Sequence, residues 1–144
     1  MSDDFLVSES DWRVLICGGR DYGYDKDPVT KKLTVNVAQW RRAFDIMEQL
    51  KVAADGAGKR LIIIHGAARG ADHLADFTSN FLGIRAVAFP ADWEKHPKAA
   101  GPIRNRQMLS EGKPHLVVAF PGGKGTADMC AIAEKAEVPV RRIT

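Results

Sequence analysis

The sequence predicts a small α/β domain: a doubly wound parallel sheet with helices on both faces. Three observations lead there. Short apolar runs rich in β-branched residues alternate with longer stretches of helical periodicity. Strands that alternate with helices pair in parallel and need cover on both sides. Two of the apolar runs end in glycines that lead directly into a helical pattern, at 64–72 and at 119–126.

The elements follow in order. Residues 1–12 are polar and mixed, and read as an N-terminal arm; 13–144 read as one domain. Arg13-Val14-Leu15-Ile16-Cys17 is a buried strand closed by Gly18-Gly19. Residues 20–35 hold Gly23, Pro28 and many charges, and read as a long loop. From Asn36, a plausible N-cap, Val37, Trp40, Phe44, Met47 and Leu50 recur at helical spacing until Gly56 and Gly58 stop the helix. Leu61 to Ile64 is a second strand. Ala71 to Phe81 is a helix with Leu74, Phe77 and Phe81 on one face and Gly83 as its stop. Ile84 to Phe89 is a third strand, and 90–102 a second long loop. Residues 103–111 form a short helix, His115 to Phe120 a fourth strand, Thr126 to Ala136 a helix. Val138-Pro139-Val140 opens a last short strand. This is a Rossmann-like order, in which ligands bind beyond the carboxyl ends of the strands, near a topological switch point.

The bulk properties bound the function. The 144 residues are 45% hydrophobic and 27% charged, ordinary for one globular domain. No apolar run approaches the ~20 residues that span a bilayer. The start of the chain is acidic and has no signal-like apolar stretch, so a cytoplasmic protein with no membrane partner is expected. Cys17 and Cys130 each lie in apolar segments and read as buried, reduced thiols. The net charge of +3 suits an anionic ligand but is too small to indicate nucleic acid by itself.

Candidate site residues gather on the turns that follow the strands. In Pro121-Gly122-Gly123-Lys124-Gly125-Thr126, three glycines in four positions let bare backbone N–H groups curl around an anion at a helix N-terminus. Thr126 either caps the next helix or offers its hydroxyl to a phosphate oxygen. The spacing is neither a P-loop nor a dinucleotide fingerprint. The turn at His65-Gly66 adds Arg69, Gly70 and Asp72; Asp72 either binds a ribose hydroxyl or complements the helix dipole. Gly18, Gly19 and Arg20 follow the first strand. Arg104, Asn105 and Arg106 follow the second loop, and arginines two apart on a helix do not share a face. Asp92 and Trp93 lie in that loop, where the indole either stacks on a base or lids the core. His65, His73, His96 and His115 lack metal-ligand spacing, so no metal is expected, and no cofactor beyond a nucleotide-type ligand. Trp12, Trp40 and Met47 read as core, with an apolar interface as the alternative.

These stretches resemble the SLOG superfamily of Rossmann-like proteins, in its YspA/YpsA-related branch. The resemblance is carried by residues 17–22, 65–72, 90–93, 100–106 and 121–126. It implies a nucleotide-derived ligand and a homo-dimer or larger assembly. The related LOG-type enzymes hydrolyse the N-glycosidic bond of nucleoside 5′-monophosphates, with a Pro-Gly-Gly-x-Gly-Thr-x-x-Glu turn and an upstream Arg. Here Pro121 to Thr126 match and Arg106 falls at the upstream position. The Glu position holds Met129, with Asp128 one residue before it. The resemblance thus implies Arg106 and Asp128 as candidate catalytic residues. DprA-like proteins share the 65–72 and 104–106 stretches and bind single-stranded DNA. Three functions stand at this point: a nucleotide sensor or carrier, a nucleotide N-glycosidase, and a single-strand nucleic-acid binder.

Overall fold

The computed structural model describes residues 8–144. Five parallel strands form the sheet, in the order β5-β4-β1-β6-β7. They are β1 (Asp11–Cys17), β4 (Arg60–His65), β5 (Arg85–Ala88), β6 (Leu116–Ala119) and β7 (Val140–Arg142). The chain winds outward from β1 through β4 to β5, then crosses back to β6 on the other side of β1. The direction of winding therefore reverses between β1 and β6, which is where a doubly wound sheet opens a crevice.

Period-two alternation divides the core between the two faces. Val14, Ile16, Ile63 and Val118 pack beneath α1 (Val37–Gly56) and α2 (Ala71–Leu82). Leu15, Cys17, Ile62, Ile64, Val117 and Ala119 pack beneath α3 (Ala100–Gly112) and α4 (Lys124–Lys135). Ile62, Ile63 and Ile64 have no exposed surface. Burying each such side chain is worth ~1.5–3 kcal/mol, which explains an unbroken apolar run in a strand covered on both sides.

Several element ends differ from expectation. Of the expected arm, residues 1–7 lie outside the described residues, and β1 already begins at Asp11. Asp11 is buried because Arg60, its neighbour in register, donates from Nε to Oδ1 at 2.9 Å. A paired carboxylate can open a strand that an apolar count would start later. Residues 20–35 are not a loop throughout. They contain the antiparallel hairpin β2 (Tyr24–Lys26) and β3 (Leu33–Val35). The Asp27 carboxylate turns it by accepting from the N–H groups of Val29 and Thr30, each at 2.8 Å. Helix α3 starts at Ala100, before Pro102, because a proline in the first turn lacks only an N–H that has no intrahelical acceptor.

Asn36 caps α1, its side chain accepting from Gln39 N at 3.0 Å, and Gly83 ends α2 in the left-handed conformation. The buried stripe of α1 is Ala43, Ile46, Met47, Leu50 and Ala54, while Val37 is exposed. Phe77 and Phe81 are half or more exposed and do not face the core with Leu74. They pack edge-on against Trp40 and Phe44 along the outer seam of α1 and α2. Met47 is buried, and Trp12 and Trp40 pack against the same core.

Candidate functional site

Three turns meet backbone to backbone where the sheet order reverses. Gly19 N–H donates to Pro121 O at 2.9 Å, and Ala71 N–H donates to Gly19 O at 3.1 Å. The turn after β1 is thus clamped between the start of α2 and the turn after β6. Several glycines serve this packing. A Cβ on Gly18 would lie 2.6 Å from the Ala71 Cβ. Gly70 has φ +78°, and a Cβ there would run into Gly19 O and the Arg20 backbone.

The turn at 65–72 spends its donors within the protein. Gly66 and Ala68 N–H donate to Asp72 Oδ2 at 3.1 and 3.2 Å, and Ala67 N–H donates to His65 Nδ1 at 3.0 Å. His65 is buried; with Nδ1 accepting, Nε2–H donates to Asp76 at 3.0 Å. Burial pushes the Asp72 carboxyl up, against the pull of the Ala68 N–H, the His65 ring and the Arg104 guanidinium. Asp72 therefore holds this turn closed with the oxygen that accepts both amides.

The turn at 121–126 is organised differently. Gly123 is the N-cap of α4, with no side chain to cap the first turn. The leading N–H groups of a helix have no intrahelical acceptor, and together with the dipole they make an anion site. Thr126 lies inside the first turn, not at the cap. A Cβ on Gly123 or Gly125 would meet nothing within 4 Å, so both border open space. That space is a cavity of about 640 Å³ in the β1/β6 crevice, lined by Gly123, Lys124, Gly125 and Thr126 on one side and by Gly18, Gly19 and Arg20 on another. Its volume falls within the ~300–1,000 Å³ usual for small-molecule sites.

Helix α3 supplies the third wall through Gly101, Arg104, Asn105 and Met108, which recur at helical spacing. Arg104 donates to Gly66 O, and from Nε to Asn105 Oδ1 at 3.1 Å. Asn105, only 3% exposed, donates to Gly125 O at 3.2 Å and to Asp128 Oδ2 at 2.9 Å, tying α3 to the first turn of α4. Burial lowers the Arg104 guanidinium from its ordinary value; Asp72 opposes this and the nearby Arg20 adds to it. The cations Arg20, Lys98, Arg104 and Lys124 line the cavity with the carboxylates Asp72 and Asp128.

Trp93 also lines the cavity, and the Arg20 guanidinium lies over its ring, 5.2 Å from the centroid. Arg69 sits in a shallower groove shared with Arg20, Ala68 and Trp93, and pairs with Asp21 at 3.3 Å. Eight candidates from sequence, Arg69 among them, lie off the cavity lining. Asp92 accepts from Lys95 N–H, His65 and Gly66 lie behind the Asp72 turn, and Arg106 is exposed on the far side of α3 from Arg104. Gly70, Pro121 and Gly122 take part in the clamp rather than the lining. Sequence reasoning missed Cys17, Ala68, Lys98, Gly101, Pro102 and Met108 in the lining. Helical spacing from Arg104 reaches Gly101 and Met108; no local signal marks Lys98.

Met129 is fully buried, while its neighbour Asp128 faces the cavity. Cys17, in the floor, is a free buried thiol, as is Cys130 behind it. The interaction between the two thiols, with burial, raises Cys17, and the same interaction lowers Cys130. Among the described residues, no cluster of three or more His, Cys, Asp or Glu is placed to hold a metal ion. None of their helices is long and apolar enough to cross a membrane.

The chain is 40% identical over 89 residues to the Gene 61 protein of Mycobacterium phage D29, covering 56% of this chain and 69% of that relative. No solved structure matches it. A family model described as the YspA, cpYpsA-related SLOG family matches residues 12–96, which takes in the Gly18-Gly19 and 65–72 turns and ends before α3 and α4. The chain belongs to the YspA, cpYpsA-related SLOG family.

Proposed function

We propose that this protein binds a phosphorylated, nucleotide-derived ligand, as a sensor or carrier, with the phosphate at the N-terminus of α4. One observation carries the reading. The first turn of α4 has no side-chain cap and opens onto a cavity whose other walls bring Arg20, Lys98 and Arg104. Unpaired N–H donors, a helix dipole and guanidinium groups around one space form a site for a phosphate group. Family membership points to a nucleotide-related ligand in the same way.

The test is calorimetric titration with AMP and with ribose 5-phosphate, on the wild type and on Gly125→Val. A helical Cβ tilts toward the N-terminus, so the valine shades the donors, and its Cβ meets no protein atom within 4 Å. The variant is expected to keep its melting temperature and to lose at least ~ten-fold in affinity, or ~1.4 kcal/mol. Equal affinity for both ligands in wild type and variant refutes the cradle.

A second reading is a nucleoside monophosphate N-glycosidase. It is favoured by the position of Asp128, whose carboxylate lines the cavity where the neighbouring Met129 is buried. Glycosidic cleavage passes through an oxocarbenium-like state that a carboxylate stabilises. Release of free adenine from AMP, abolished in Asp128→Asn, supports it; no release over prolonged incubation rules it out.

A further inference from the structure

The loop between β5 and α3 puts an indole at the mouth of the cavity. Trp93 keeps 45% of its surface exposed while lining the cavity. Its ring edge lies against the start of α3: a Cβ built on Gly101 would reach Cη2 at 3.4 Å and Cζ2 at 3.8 Å, ordinary van der Waals contact. Its face is covered by the Arg20 guanidinium at 5.2 Å from the centroid. Arg20 has no carboxylate within salt-bridge distance among the described residues; Trp93 holds it. Both residues border the deep cavity and the shallow groove beside it, so the pair forms the partition between them.

Arg20 is therefore a cation over a ring, close enough to a second guanidinium, Arg104, to oppose its charge, which Asp72 offsets in part. A bound phosphate relieves the remaining repulsion and gives Arg20 a stronger partner than an indole face, because a charge-assisted bidentate bond exceeds an exposed cation–π contact. The indole that Arg20 leaves is half-exposed and lines the same cavity.

We propose that Trp93 is the stacking platform for the aromatic base of the ligand, and that Arg20 is the latch that gives up the ring when phosphate arrives. The site then selects nucleoside phosphates over sugar phosphates, and the two ends of the ligand bind cooperatively through Arg20. This rests on the phosphate reading above and adds the recognition of the base.

The experiment compares AMP, ribose 5-phosphate and adenosine on the wild type, Trp93→Phe and Trp93→Ala, by calorimetry and by tryptophan fluorescence. Stacking predicts that wild type binds AMP at least ~ten-fold more tightly than ribose 5-phosphate. Trp93→Ala brings that ratio to within ~three-fold while ribose 5-phosphate affinity stays within ~two-fold, and Trp93→Phe keeps most of the preference. AMP quenches the fluorescence more strongly than ribose 5-phosphate, which changes it only by drawing Arg20 off the ring, and both responses are absent in Trp93→Phe. Ribose 5-phosphate binding as tightly as AMP, or a preference untouched in Trp93→Ala, overturns the stacking and leaves the phosphate cradle standing. No binding of either phosphate overturns both.

Discussion

Asn105 on α3 donates its side-chain amide to the Asp128 carboxylate on α4 at 2.9 Å, and the same nitrogen reaches Gly125 O at 3.2 Å. One buried amide thereby fixes the first turn of α4 against α3. Asn105→Ala leaves the Gly125 carbonyl and the Asp128 carboxylate without their donor and empties a buried position, so a loss of ~1–3 kcal/mol is expected in urea unfolding. A loss below ~0.5 kcal/mol would mean that water replaces the amide and that α3 does not set the cradle.

Asp72 gives a pH-dependent test. Asp72→Ala strands the N–H groups of Gly66 and Ala68 and is expected to cost ~1–3 kcal/mol. Asp72→Asn keeps an acceptor oxygen and removes the cost of burying a charge. Burial raises the folded carboxyl above its ordinary 3.8. A raised acid contributes stability that is complete below the unfolded value and lost as pH rises through the folded one. Relative to wild type, Asp72→Asn should therefore gain stability as pH rises from about 3.8 through the raised value, and the difference should level off above it. Thermal melts across that range measure it; a difference independent of pH contradicts the buried charge.

Gly70 and Gly123 separate packing from binding. Gly70→Ala forces a side chain into a φ of +78° and into the Gly19 carbonyl. The left-handed penalty alone is ~1–2 kcal/mol, and the clash adds to it. A Cβ at Gly123 meets nothing within 4 Å, so Gly123→Ala should change stability by less than ~1 kcal/mol. Equal losses in the two variants would show that the clamp does not depend on Gly70.

The arginines of α3 are expected to differ. Arg104→Ala removes a cavity cation and its bond to Gly66 O, so AMP affinity should fall at least ~ten-fold. Arg104→Lys should not restore it, because one ammonium does not reproduce bonds made from Nε and a terminal nitrogen together. Arg106→Ala, on the exposed side, should stay within ~two-fold of wild type. A large effect at Arg106 would implicate a surface outside this cavity.

The two thiols form one titrating unit. Their interaction lowers Cys130 from 9.0 to about 7 and, with burial, holds Cys17 protonated. Thiolate absorbance should show a step near pH 7 worth one of the two thiols, moving back toward 9.0 in Cys17→Ala. As a lowered acid, Cys130 contributes stability that is present above pH 9.0 and lost as pH falls through about 7, while the raised Cys17 opposes it on the alkaline side. Both thiols titrating together near 9.0 would break the pair.

Much of this was legible in the chain itself. Runs such as Leu61 to Ile64 announce strands covered on both faces, because every side chain in them is apolar, and alternation with helical stretches makes the sheet parallel. Asn36 and Gly83 mark helix ends through local bonding alone. The β2–β3 hairpin was not legible, because its strands have three residues each, too short for the alternation of Leu33-Thr34-Val35 to stand out from a charged stretch. Phe77 and Phe81 have helical spacing but lie on an outer aromatic seam, since periodicity gives a face and not what that face meets.

Hydrophobic period and chain direction are local properties, so the doubly wound order and the strand-end turns could be read from the residues alone. How each turn spends its amides depends on contacts made by folding. The 65–72 turn gives them to Asp72 and His65, and Gly18 and Gly70 serve close packing, whereas α4 leaves its first turn uncapped beside Arg104 and Trp93. Those outcomes depend on partners distant in the chain, such as Asn105 for Gly125 and Gly19 for Ala71. Two glycine-rich turns of like composition thus become, by contact alone, a brace and an uncapped helix end that opens on the cavity.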